Sequence, residues 1–134
     1  MGKFYIATCI ATVVAGLWSR GGEAEPPNQV GPFMRAKLAH SQHLLEGITL
    51  GDYEMIAKHG QALSLLAQEA TWRVLQTPEY LQHSAEFRRA ADALTEAARE
   101  KNLDGAALGY VDLTMRCVNC HKYVRDVRAS KRAG

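Results

Sequence analysis

From Pro32 onward apolar residues recur every three or four positions with polar residues between them, the spacing of a single buried stripe on a helix. In FMRAKLAHSQHLLEGITLG that stripe is Met34, Leu38, Ser41, Leu45 and Ile48. Pro32 suits the first helical turn, and Gly47 and Gly51 mark the end. Asp52 is a suitable N-cap for the second helix, DYEMIAKHGQALSLLAQEA, whose face carries Tyr53, Ile56, Gly60, Leu63, Ala67 and Ala70. Gly60 in mid-helix costs about 1 kcal/mol relative to alanine; close packing against a neighbouring helix is the expected reason, and against a flat ligand the alternative. The pattern lapses around 72–77, and Thr77-Pro78 opens a third helix with Phe87, Ala90, Leu94, Ala97 and Ala98 on one stripe. Asn102 or Asp104 caps the last helix, GAALGYVDLTMRCVNCHKYVRDVR, in which Ala107, Val111, Thr114, Val118, His121 and Val124 follow helical steps. No strand pattern interrupts them. Four helices of similar length with short joints predict an all-α fold, an up-down-up-down antiparallel four-helix bundle.

The 134 residues suit one domain, and a net charge of +2 gives no argument for a nucleic-acid partner. The start of the chain changes the picture more. Lys3 precedes an apolar run from Phe4 to Trp18, shorter than the roughly 20 residues of a membrane span. Residues 1–24 therefore read as a secretory signal peptide, with Ala24 the best-placed cleavage residue; the alternative is an uncleaved N-terminal membrane anchor. Cys9 is an apolar residue inside that run. Residues 25–31, polar and rich in Pro and Gly, read as a linker, and 32–134 as the bundle. An exported, periplasmic chain processed in this way keeps two cysteines, Cys117 and Cys120.

Those two lie in CVNCH, with His121 directly after the second. A structural zinc ion needs four ligands, and Cys117, Cys120 and His121 supply at most three, with no second CxxC elsewhere. A thioredoxin-like dithiol belongs beside a βαβ pattern, which is missing from this sequence. A disulfide here closes one helical turn and adds little stability. The remaining chemistry is covalent haem c attachment, for which CxxCH is the signature. Each thiol adds across one porphyrin vinyl group, and the histidine lies under the iron as proximal ligand. Residues at i, i+3 and i+4 share a helix face, so one turn presents all three groups to one side.

With this motif on the last of four helices, residues 33–128 resemble the cytochrome c′ superfamily of secreted, four-helix, monohaem proteins. The resemblance implies a haem near the C-terminal end of helix four. In that family a basic residue often follows the motif after two residues and an aromatic; Arg125 matches the basic position, Val124 stands where the aromatic is expected, and Tyr123 comes one residue early. The match implies that Arg125 lies near His121 and tunes the proximal side; plain solvation is the competing reading. Trp72 is similar to an aromatic at the end of the family's second helix and is read as packing.

The resemblance also implies a distal residue early in helix one, where both closed and open iron sites occur in the family. Helix one offers Met34, Lys37, His40 and His43. By helical phase Met34 is near the centre of the stripe, Lys37 on its shoulder, His40 well off it and His43 nearly opposite. Met34 is the expected distal ligand, which makes a six-coordinate carrier of single electrons and not an enzyme. An apolar distal side would instead leave five-coordinate iron that binds NO or CO, and a haem-free exported helical interaction domain is the reading from another class. Arg35 and Lys37 are candidates for pairing with haem propionates. His59 and His83 read as solvated, Met115 as core. The basic tail KYVRDVRASKR is either a docking surface for an acidic redox partner protein or a frayed terminus. The sequence leaves the redox partners unidentified and a homodimer open.

Overall fold

A computed structural model of the chain describes residues 30–70 and 75–134. The leader at 1–24, Cys9, most of the linker and Trp72 lie outside the described residues. Four helices follow one another: α1 (Val30–Leu50), α2 (Tyr53–Ala70), α3 (Pro78–Arg99) and α4 (Leu103–Ala133). They pack as an all-α four-helix bundle. The contacts of α3 with α2 and α4 are the most extensive, α1 rests on α2, and α1 meets α4 only lightly. Among the described residues no helix is long and apolar enough to cross a membrane.

The joints form as their residues dictate. Gly51 has φ of 67°, a conformation that costs glycine little. There its N–H donates to the Ile48 carbonyl at 3.3 Å, and the Asp52 N–H donates to the Gly47 carbonyl at 2.8 Å, which closes the end of α1. The Asp52 carboxylate accepts from the Met55 N–H at 2.9 Å and opens α2. Thr77 caps α3 with Pro78 in its first turn, and Asn102, rather than Asp104, caps α4 by accepting from the Gly105 N–H at 2.9 Å.

The core matches the expected stripes on two helices. Ile56, Leu63 and Ala67 of α2 meet Phe87, Ala90, Ala91, Leu94 and Ala98 of α3, with Leu44, Ala106 and Leu113 closing the cluster. Gly60 is buried, and a methyl group there would run into Thr95 and come 3.3 Å from Leu94. Its helix penalty is the cost of bringing α2 and α3 together.

Four expectations need correction. Helix α1 starts at Val30, two residues before Pro32, because the unbonded N–H groups of a first turn tolerate proline. Gly47 lies inside α1, buried against Ile56, and does not end the helix. On α1 the fully buried leucine is Leu44, whereas Leu38 and Leu45 are 59% and 48% exposed. On α4 the line that faces the bundle is Leu103, Ala106, Tyr110, Leu113 and Cys117. Val111, Val118 and Met115 form an outer stripe with Leu108, which is 72% exposed, so Met115 is not core. Helix α4 has apolar residues on two faces, and packing against α3 selects one of them. It is also the longest helix, 31 residues, and its basic tail is helical to Ala133, with Lys122, Arg125, Arg128, Lys131 and Arg132 exposed.

Candidate functional site

The light contact between α1 and α4 leaves a cavity of about 340 Å³ between α1, α3 and α4, with Leu63 of α2 behind it. That volume lies within the roughly 300–1,000 Å³ of small-molecule and cofactor sites. Helix α4 contributes Leu113, Arg116, Cys117, Cys120 and His121 to its wall, α3 contributes Tyr80, His83, Ser84 and Phe87, and α1 contributes Met34, Arg35, Lys37, Leu38 and Ser41. The exposure of Leu38 is explained by this: its side chain borders the cavity instead of filling a core position.

The expected site residues divide cleanly. Cys117, Cys120, His121, Met34 and Arg35 all border the cavity. Cys117 and Cys120 are half-buried free thiols, so no disulfide competes for them. Met34 is half-buried, while Arg35 and His121 are exposed at the margin. Arg125 is exposed on the next turn of α4 and does not border the cavity.

Three features have surroundings that sequence reasoning did not give. The first is Lys37, whose Nζ lies 4.3 Å from the Phe87 ring centroid and 5.1 Å from that of Phe33. Burial pushes its pKa below the ordinary 10.5, and the neighbouring cysteines oppose that shift. Burial in turn pushes both thiols up, with the Lys37 ammonium opposing. It also pushes the Tyr80 hydroxyl up to about 12. The second is Arg116, which holds Asp112 at 2.8 Å and Glu86 at 3.2 Å and so ties α4 to α3 beside the cavity. The Asp112–Arg116 spacing of four was a legible signal for half of that clamp. The third is Tyr123, whose hydroxyl lies 2.7 Å from Thr77 Oγ1, with its ring 5.5 Å from that of His83. The displaced aromatic therefore anchors the end of α4 to the start of α3. His83 is correspondingly a cavity residue, not a solvated one.

The Lys37 shift has a definite sign. An ammonium held in an apolar wall is costly, so the folded chain binds the proton less tightly than the unfolded chain does. Stability must rise with pH as it climbs from the folded-state pKa toward 10.5. Lys37→Met is expected to raise the melting temperature at pH 7 and to flatten that alkaline rise, as followed by circular dichroism on the purified chain. Equal pH profiles for the two proteins would contradict the placement of Nζ in the wall.

The residues present fit a haem held by CxxCH. Both thiols and the histidine border one cavity, and the wall between them and α1 is largely hydrocarbon and aromatic. Among the described residues no three His, Cys, Asp or Glu side chains converge on a metal-ion position, so a bare zinc site gains nothing from the fold. Comparisons with family models, curated proteins and solved structures returned no match.

Proposed function

We propose that the protein is an exported, periplasmic monohaem c-type cytochrome that carries single electrons. The observation that supports this best is the position of CVNCH: in a bundle where α4 has two apolar faces, Cys117 and Cys120 lie on the one that borders the cavity, opposite Met34. When bound, the haem supplies an iron that cycles between ferric and ferrous. Cys117 and Cys120 would tether it, each S–H adding across one vinyl group, sulfur to one carbon and hydrogen to the other, with nothing released. His121 and Met34 are the side chains that would ligate the iron. Leu63, Phe87 and Leu113 exclude water, and Arg35 at the margin suits a propionate. The likeness of this arrangement to the cytochrome c′ superfamily belongs to the same proposal.

A second reading has its own support. Phe87, Leu38 and Leu63 present a hydrocarbon surface beside Met34, and such a distal wall suits five-coordinate iron that binds NO or CO. One experiment separates the possibilities. Optical spectra of the purified protein, oxidised and reduced, should show a covalent haem c that is low-spin in both states and slow to take up CO. A high-spin spectrum with rapid CO binding would favour the gas-binding reading. No haem after expression with the c-type maturation machinery would leave a haem-free helical domain.

A further inference from the structure

Two faces of the bundle lie away from the cavity. Between α1 and α2 the Nδ1 atoms of His40 and His59 share a hydrogen bond at 2.8 Å, and His43 stacks on His59. His59 is therefore not merely solvated, and that face is closed by its own contacts. The outer face of α4 is not closed. Its apolar side chains Leu108, Val111, Met115 and Val118 are exposed, from 39% at Val118 to 72% at Leu108. By helical phase they point away from Leu113 and Cys117, which border the cavity. A contiguous apolar stripe of this kind marks an interaction surface.

We propose that this face pairs with the same face of a second copy of the chain, the two α4 helices lying antiparallel about a twofold axis level with Leu113. The spacing is the first reason. The seam runs Asp104, Leu108, Val111, Met115, Val118 and Lys122, in steps of four, three, four, three and four. Alternating fours and threes give the 3.5-residue period that keeps the seam of one helix facing another. These steps also read the same in both directions from Leu113. A twofold axis there sets Leu108 against the partner's Val118, Val111 against the partner's Met115, and Asp104 against the partner's Lys122. A contact between identical surfaces has to be complementary to itself, and this pattern is.

Charge is the second reason. Asp104 and Lys122 close the two ends of the stripe with opposite signs. Both are exposed, and neither pairs with another charge among the described residues. An antiparallel partner brings the two signs together at both ends, whereas a parallel one sets like charges against each other. Asp112 stands beside the seam, but Arg116 already holds it at 2.8 Å, so it adds no unpaired carboxylate. Size sets the strength. At 1.5 Å per residue the seam is about 27 Å long. One helix per chain over that length makes an interface at the small end of the specific range, below about 1,200 Å² in total. The dimer therefore forms and dissociates with concentration. Seam and cavity lie on opposite sides of α4, so pairing leaves the cavity open and does not depend on a haem.

The test uses the purified protein, with reductant present so that Cys117 and Cys120 form no link between chains. Sedimentation equilibrium from about 1 μM to about 1 mM should show a mass that rises from one chain to two and stops there. Val111→Glu should weaken the dimer at least about a hundredfold, because it buries a charge without a partner. Val111 lies outside the core cluster, so the variant should keep its helix content. Asp104→Lys and Lys122→Asp should each weaken the dimer about tenfold, and the two together should restore it, a pattern that damage to the fold does not produce. A carbodiimide should join Asp104 to Lys122; about 27 Å apart on one helix, they can meet only between chains. A monomer at every concentration would overturn the proposal, whether residues 1–29 or a different protein covers the stripe. So would a dimer indifferent both to Val111→Glu and to the charge reversals.

Discussion

Expressed with the c-type maturation machinery, Cys117→Ala/Cys120→Ala is expected to lose all haem that survives denaturation, from stoichiometric to none. Each thioether is a covalent bond, so a single cysteine is enough to keep the group through a denaturing gel; only the double variant empties it. His121, Met34 and the apolar wall remain in the double variant, and they leave room for a fraction of non-covalent haem that washes out on unfolding. Peroxidase staining of the gel and a pyridine haemochrome of the washed, unfolded chain measure the difference. The substitutions should spare the fold. Both cysteines are half-buried at the cavity edge, and only Cys117 touches the core cluster, from its margin. Helix content by circular dichroism checks this, because alanine favours the helix. Haem that resists denaturation in the double variant would sink the proposed attachment. A wild-type protein that carries none under the same conditions would sink the haem reading as a whole.

How much of this was legible in the sequence depends on what held each element in place. Helices α2 and α3 were readable in outline because each buries one main stripe, Ile56 to Ala67 and Phe87 to Ala98, with Asp52 and Thr77 as caps; the wider buried face of α3, with Tyr80, Ser84 and Ala91, and its end at Arg99 were not. Helix α4 was not, since periodicity alone cannot choose between Val111, Val118 and Leu113, Cys117 when both sets recur at helical steps. The choice belongs to α3. Along α1 the stripe was right in outline and shifted in detail, because a helix that borders a cavity leaves Leu38 half in the open and buries Leu44 against α2 instead. The motif residues and Met34 were legible because their chemistry and phase are local. The burial of Lys37 and the His40–His43–His59 cluster were not, because each depends on partners from another helix: Phe87 in one case and α2 in the other.

Met34→Ala should convert the protein from a closed electron carrier into an open haem site. Thioether ligation keeps ferric haem low-spin, adds a weak far-red charge-transfer band and raises the potential. Without it the band should vanish, the ferric form should become high-spin, and CO should bind rapidly to the ferrous form. The potential should fall by on the order of 0.1 V or more, within the roughly 0.8 V that axial ligands span. Stability should change less than for a core truncation, because Met34 is only half-buried and outside the core cluster. Lys37 complicates the result in an instructive way. It stands one turn further along α1 on the same wall, and burial lowers its pKa, so its amine is a candidate replacement ligand. Capture by Lys37 would leave Met34→Ala low-spin but without the far-red band, and Met34→Ala/Lys37→Ala would then give the open site. Ferric spectra of the wild type and these two variants therefore distinguish the occupants of the sixth position. A wild type that is already high-spin removes Met34 from the iron and makes the hydrocarbon surface of Leu38, Leu63 and Phe87 the distal wall of a gas-binding protein.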